Sequence, residues 1–132
     1  MTAKTLARKI AQLALTKKAS DVVIADLRKV SSVADYFVIC SAGSDTQVKA
    51  IADAVVLGMR KVGHEVWHDE GYSHLSWVLL DYVDVVVHVF KKEIRSFYNL
   101  ERLWGDAEFE HVRDEAVSMG TPKLRKVKKG KS

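Results

Sequence analysis

Four groups of side chains in this 132-residue chain are of types that do chemistry, and their spacing decides how far each can go. Gly43 and Ser44 stand between an apolar run and an amphipathic one. That is where backbone amides at a helix start can cradle phosphate. The turn has neither the lysine and glycine spacing of a P-loop nor the three glycines of a dinucleotide turn, so a helix cap by Ser44 is the simpler reading. Nucleotidyl transfer would further need carboxylates gathered around magnesium on the strand after that helix. The segment there offers Glu65, Asp69 and Glu70, with no pair at i, i+2 for strand alternation to aim into one site. His64, His68 and His74 are metal-ligand types, but the stretch is polar and turn-like, without the fixed geometry zinc requires, and surface histidines are the expectation. Cys40 lies inside an apolar run, where a buried, inert thiol is expected. No catalytic residue, metal ligand or cofactor is assigned on these grounds.

The more informative group is the run from Ser76 to His88, SWVLLDYVDVVVH. Alternation puts Trp77, Leu79 and Asp81 on one strand face and Val78, Leu80 and Tyr82 on the other. In a two-sided sheet Trp77 can simply be core. A tryptophan or tyrosine beside acids on a sheet face is also the usual makeup of an interface anchor, suited to a basic partner.

These groups are positioned by a chain that reads as helices interleaved among strands. The segment TAKTLARKIAQLALTKKA sets Leu6, Ile10, Leu13 and Ala14 at helical spacing with cations on the remaining face. DVVIADLR and DYFVICSA are β-branched and aromatic runs separated by KVSSVA, a strand–loop–strand signature. A helix begins at Ser44, carries Val48, Ile51, Ala52, Val55 and Met59 inward, and stops at Gly63. A short strand over HEVWH leads through DEGYSH to SWVLLDY and DVVVHVF, a tight hairpin. KKEIRSFYNLERLWG then sets Ile94, Phe97, Leu100, Leu103 and Trp104 at helical spacing and closes at Gly105. From Asp106 the periodicity weakens. The expected order is α-β-β-α-β-β-β-α, an α/β or α+β layer fold with a mixed sheet of about five strands, one of them short, and flanking helices.

Length predicts a single domain over residues 1–120, followed by a basic tail over 121–132 with no apolar set to bury. The net charge of +4 is unevenly spread: residues 1–20 and 121–132 hold five and six cations and no acid, and residues 21–120 hold ten cations against all 17 acids. The tail reads as a solvated segment or as a salt-sensitive contact to RNA phosphates. One cysteine excludes an internal disulfide, Lys4, Arg8 and Lys9 interrupt the start as a secretory signal, and the apolar runs are too short to span a membrane, which together predict a cytoplasmic protein.

From Asp35 to Ala107 the chain resembles the Iojap-related ribosomal silencing factor family, RsfS. The resemblance rests on DYFVICSAGSDTQVKAIAD, the Glu70-Gly71 pair before a tryptophan, WVLLDYVDVVVHVF and RSFYNLERLWGDA, in that order and spacing. Val83 departs from the glycine that many members carry in the hairpin turn. The resemblance implies a nucleotidyltransferase-like fold without the catalytic carboxylates. It also implies a binding protein that docks on the large ribosomal subunit through large-subunit ribosomal protein fourteen and so blocks joining of the small subunit, repressing translation under nutrient limitation. Carried onto this chain, the contact surface would use Trp77, Leu79, Asp81 and Tyr82, with Asp84 and His88 nearby. Arg95, Tyr98, Glu101 and Trp104 are read as fastening the last helix; Arg95 and Glu101, six apart, are not neighbours on one helix face and leave open a reach to an outside partner. Whether the protein is a monomer or a homodimer stays open, as do two further readings: a nucleotidyltransferase-like enzyme using Ser44 and Asp45, and an RNA-binding module driven by the tail.

Overall fold

The apolar stripes of the two long amphipathic segments require a sheet to cover, and the architecture follows from that need. The computed structural model describes residues 1–113. Helix α1 (Ala3–Leu15) starts at Thr2, whose side chain accepts from the Thr5 amide, and turns Leu6, Ala7, Ile10, Ala11, Ala14 and Leu15 inward. Strands β1 (Ser20–Asp26) and β2 (Tyr36–Ala42) follow as an antiparallel pair. Helix α2 (Asp45–Lys61) is capped by Ser44, whose hydroxyl accepts from the Gln47 amide, and buries the five residues its periodicity predicts. Then come β3 (His68–Glu70), β4 (Trp77–Asp81) and β5 (Val85–Lys91). The chain continues through α3 (Lys92–Tyr98), α4 (Leu100–Leu103) and β6 (Glu108–Val112).

The six strands form one sheet in the order β3-β4-β5-β2-β1-β6, with β2 and β5 parallel and every other neighbouring pair antiparallel. Helices α1 and α2 cover one face, burying Val22, Ile24, Val38, Cys40, Val78, Leu80, Val87 and Val89 beneath them. On the other face a smaller cluster gathers Ala25, Leu27, Phe37, Ile39, Val86, Phe90 and Leu100 under the loop after β1, α3 and α4. None of the described helices is long and apolar enough to cross a membrane.

Three details differ from the sequence reading. There are six strands rather than about five, because residues 108–112 pair with β1 as an edge strand. Their periodicity is weak because an edge strand needs little to bury: Phe109 serves one face and Val112 the other, while Glu110 meets Arg8 of α1 at 3.3 Å. The strand expected over HEVWH begins only at its last histidine. The last helix is also two pieces. Asn99 adopts a left-handed conformation (φ 42°, ψ 64°), ends α3, and then caps α4 by accepting from the Arg102 amide through its side chain. Apolar spacing continued across the break, but asparagine is among the few residues that tolerate this conformation. The tail expected over 121–132, and the domain end expected at 120, lie outside the described residues.

Candidate protein-docking face

Cross-strand register assembles the open face into rows. His68, Asp81, Val86, Phe37, Ala25 and Phe109 lie side by side across the six strands, and Glu70, Leu79, His88, Ile39, Val23 and His111 form the row beside it. Trp77 faces Phe90 in the third row. At the β3–β4 end this face has no long helix over it, so Trp77, Leu79 and Asp81 are half-buried while Val78 and Leu80 on the reverse are fully buried.

Aromatic packing gives this end its shape. The Trp77 ring stacks on Phe90 with centroids 4.8 Å apart and meets the exposed Tyr98 ring at 4.8 Å. Phe37 packs edge-on against His88 at 4.5 Å and against Trp104 at 6.1 Å. The Trp77 indole Nε1–H donates to His88 Nδ1 at 3.1 Å. Around this apolar strip the rim is acidic. Asp81 accepts from the Val83 amide at 2.7 Å, Glu70 lies opposite Leu79, and exposed Asp84 accepts through its carbonyl from the Asp35 and Tyr36 amides. His68 pairs with Glu70 at 2.8 Å.

The expected contact residues therefore do not all share one surface. Trp77, Leu79 and Asp81 do, and Asp84 adjoins them in the hairpin turn. Tyr82 is buried on the helix-covered face, its hydroxyl without a hydrogen-bond partner among the described residues, and burial pushes its pKa up to about 12. His88 is on the open face but buried beneath the rings, 4% exposed, and desolvation pulls its pKa down to about 4. Alternation correctly separates Tyr82 from Trp77; which of the two faces carries the helices is a tertiary matter.

The last-helix group acts as a clasp. Arg95 donates to the Asp21 carbonyl at 2.6 Å, to the Ser41 hydroxyl at 2.9 Å and to the Glu101 carboxylate at 2.6 Å. Six residues apart on a continuous helix, Arg95 and Glu101 would point away from each other; the turn at Asn99 folds them together, so the reach to an outside partner is not needed to explain either. Trp104 packs into the open-face cluster.

Gly71 and Val83, in the connections on either side of β4, both hold positive φ. Gly71 takes φ +96°, and a Cβ there would fall 2.0 Å from the Trp77 carbonyl oxygen, so only glycine lets the β3–β4 loop lie against the strand. The Glu70-Gly71 pair was the available signal. Val83 takes φ +74°, with the Asp84 amide donating to the Tyr82 carbonyl at 3.0 Å, the pattern of a tight γ-turn that disfavours a β-branched side chain. Glycine's absence from that turn therefore leaves the hairpin closed but strained.

The other candidate chemistry resolves differently. At the Gly43-Ser44 turn the Gly43 amide donates to the chain's own Gln47 side chain at 2.7 Å, and Gln47 in turn donates to the Lys17 and Lys18 carbonyls, so the amide that could face a phosphate holds α1 to α2 instead. Asp45 pairs with Lys91 at 3.0 Å. Among the described residues no three His, Cys, Asp or Glu side chains converge as metal ligands. Cys40 is fully buried, which pushes its thiol pKa up to about 12.

Comparison with known proteins agrees with this architecture. The family model described as "Ribosomal silencing factor during starvation" matches residues 1–131. The chain is 50% identical over 91 residues to the ribosomal silencing factor RsfS of Bacillus subtilis, covering 69% of this chain and 77% of that one. It is 35% identical over 101 residues to the chloroplastic protein Iojap of Zea mays, covering 74% of this chain and 42% of the other. A crystal structure of a Chromobacterium violaceum protein superposes with a TM-score of 0.78 at 30% identity, over 80% of this chain and 88% of its own. Another, from Bacillus halodurans, gives 0.73 at 38% identity, over 83% and 99%. With residues 1–131 matched by the family model and relatives of the same name up to 50% identical, the chain belongs to the family of ribosomal silencing factors, RsfS.

Proposed function

We propose that the protein docks on the large ribosomal subunit through the open end of its sheet and, from there, sterically blocks joining of the small subunit, so that translation falls. The supporting observation is the combination on one surface of a half-buried aromatic and aliphatic strip, Trp77 and Leu79, with a rim of Glu70, Asp81 and Asp84. Such a strip provides a desolvated anchor, and the acids steer it toward a basic ribosomal protein; large-subunit protein fourteen is the partner the family resemblance suggests. The protein acts by occupancy rather than catalysis, in the cytoplasm, and needs no cofactor. The filled Gly43-Ser44 turn weighs against the nucleotidyltransferase-like alternative. A basic tail touching ribosomal RNA would add a salt-dependent increment and leave the specificity to the strip.

Purified protein mixed with separated large and small subunits at near-physiological salt and run on a sucrose gradient tests this reading. It should travel with the large subunit and reduce the yield of whole ribosomes. Trp77→Ala should stay folded and lose at least about 2 kcal/mol of binding as an interface anchor, with Asp81→Ala losing less. Unchanged binding by both variants refutes the proposed surface. A wild-type protein left at the top of the gradient while ribosomes form refutes the function, and magnesium-dependent nucleotide binding would then be measured by calorimetry. Sedimentation of the protein alone separates a second copy of the chain from the ribosome as the occupant of the same face.

A further inference from the structure

His88 is an expensive choice for a core position. It sits on β5 between Leu79 and Ile39 in register, packed by Phe37 from β2, Trp77 from β4 and Phe90 from its own strand, with no titratable side chain in that cage. Its ring nitrogens are unequal. The Trp77 indole can only donate, so Nδ1 must accept at 3.1 Å, and the neutral ring then carries its proton on Nε2. That Nε2–H is buried and has no partner among the described residues. A valine or leucine would fill the same space without leaving a donor unsatisfied. What the imidazole contributes that an aliphatic group cannot is the acceptor for Trp77.

We infer that His88 is a positioning residue for docking: it is not itself a contact, but by holding the Trp77 indole through Nδ1 it fixes the ring in the single tilt, stacked on Phe90 and against Tyr98, in which the partner meets it. The inference rests on the docking role proposed above. Trp77 is half-buried and is the first residue of β4, and without that hydrogen bond its indole is left to apolar packing, chiefly on the Phe90 and Tyr98 rings. An anchor that is already ordered loses less side-chain freedom on binding.

The test uses full-length protein with His88→Leu, His88→Asn, Trp77→Phe and the Trp77→Phe/His88→Leu pair. Two readouts are taken: the indole N–H signals in a 15N-correlated spectrum, where the Trp77 signal is the one Trp77→Phe removes, and affinity for purified large subunits. In His88→Leu the Trp77 signal should move upfield and exchange faster with water, and affinity should fall roughly tenfold, the equivalent of one hydrogen bond. His88→Asn, which keeps an acceptor near the Nδ1 position, should recover much of both. Trp77→Phe keeps a ring but no donor, so adding His88→Leu to it should weaken binding no further.

An unmoved indole signal in His88→Leu, wild-type affinity in His88→Leu or in Trp77→Phe, or full additivity in the pair would each overturn the inference. Should His88→Leu fail to fold, His88→Asn and Trp77→Phe carry the same comparison. If the wild-type protein does not bind large subunits at all, the docking role fails, whereas the spectra of the free protein still decide whether His88 holds the indole.

Discussion

The two faces of this sheet are built from alternate residues of the same strands and do different work. The face under α1 and α2 is mainly aliphatic, with Tyr36 and Tyr82 its buried aromatics, lies beneath helices of 13 and 17 residues, and buries even its thiol, Cys40, completely. The opposite face is covered by helices of only seven and four residues and a loop, carries the packed rings of Phe37, Trp77, Phe90 and Trp104 and the buried polar groups Ser41 and His88, and leaves Trp77 and Leu79 half-exposed at one end. If docking uses the open end of the sheet as proposed, the difference teaches that strand parity separates stability from recognition. A change on one face should unfold the chain, and a change one residue along should spare the fold and touch binding.

The sharpest way to break this comparison is Ile51→Ala in α2. Ile51 is fully buried against the covered face, so truncation should cost about 2–5 kcal/mol in urea unfolding. Subunit binding by the molecules that remain folded should be unchanged. A loss of binding without a loss of stability would mean that the covered face is not simply structural.

A slightly smaller effect should appear with pH, through His88 on the open face. Because His88 is neutral when folded, with its pKa pulled down to about 4 by burial, the unfolded chain binds the extra proton first as pH falls. Its contribution is intact above an unfolded pKa of about 6.5 and drains away as pH drops toward the folded value, about 3 kcal/mol over the whole range. Thermal melts from pH 7 to pH 4 should show a decline that His88→Leu flattens. A decline of equal size in that variant would assign it to carboxylates instead.

The smallest effect runs the other way. Val83 is exposed and holds φ +74°, so Val83→Gly removes strain while sacrificing little burial and should raise stability by roughly 1 kcal/mol. A lower melting temperature would show that the valine is comfortable in its turn.

How much of this could be read beforehand depended on whether the signal was local. The inward stripes of α1 and α2, the strand character of β1, β2, β4 and β5, and the sharing of one face by Trp77, Leu79 and Asp81 are all matters of period, and period is written in neighbouring residues. Edge strand β6 had almost no period to show, since it buries little. The break at Asn99 was masked by apolar spacing that runs through it, and with the break went the meeting of Arg95 with Glu101. Gly71 was visible as a residue, but its reason, a carbonyl of Trp77 lying where a Cβ would be, comes from a strand six positions away.

The sequence by itself therefore determined which residues alternate, that Ser44 caps α2, and that no familiar catalytic spacing is present. Only the tertiary structure decided which sheet face the long helices would cover, and so that Trp77 stands half-open, Tyr82 is shut in behind it and His88 lies hidden beneath it. The physical reason is that alternation assigns a side chain to one of two faces, whereas burial depends on what distant segments are laid across that face, and nothing in a strand's own residues encodes that.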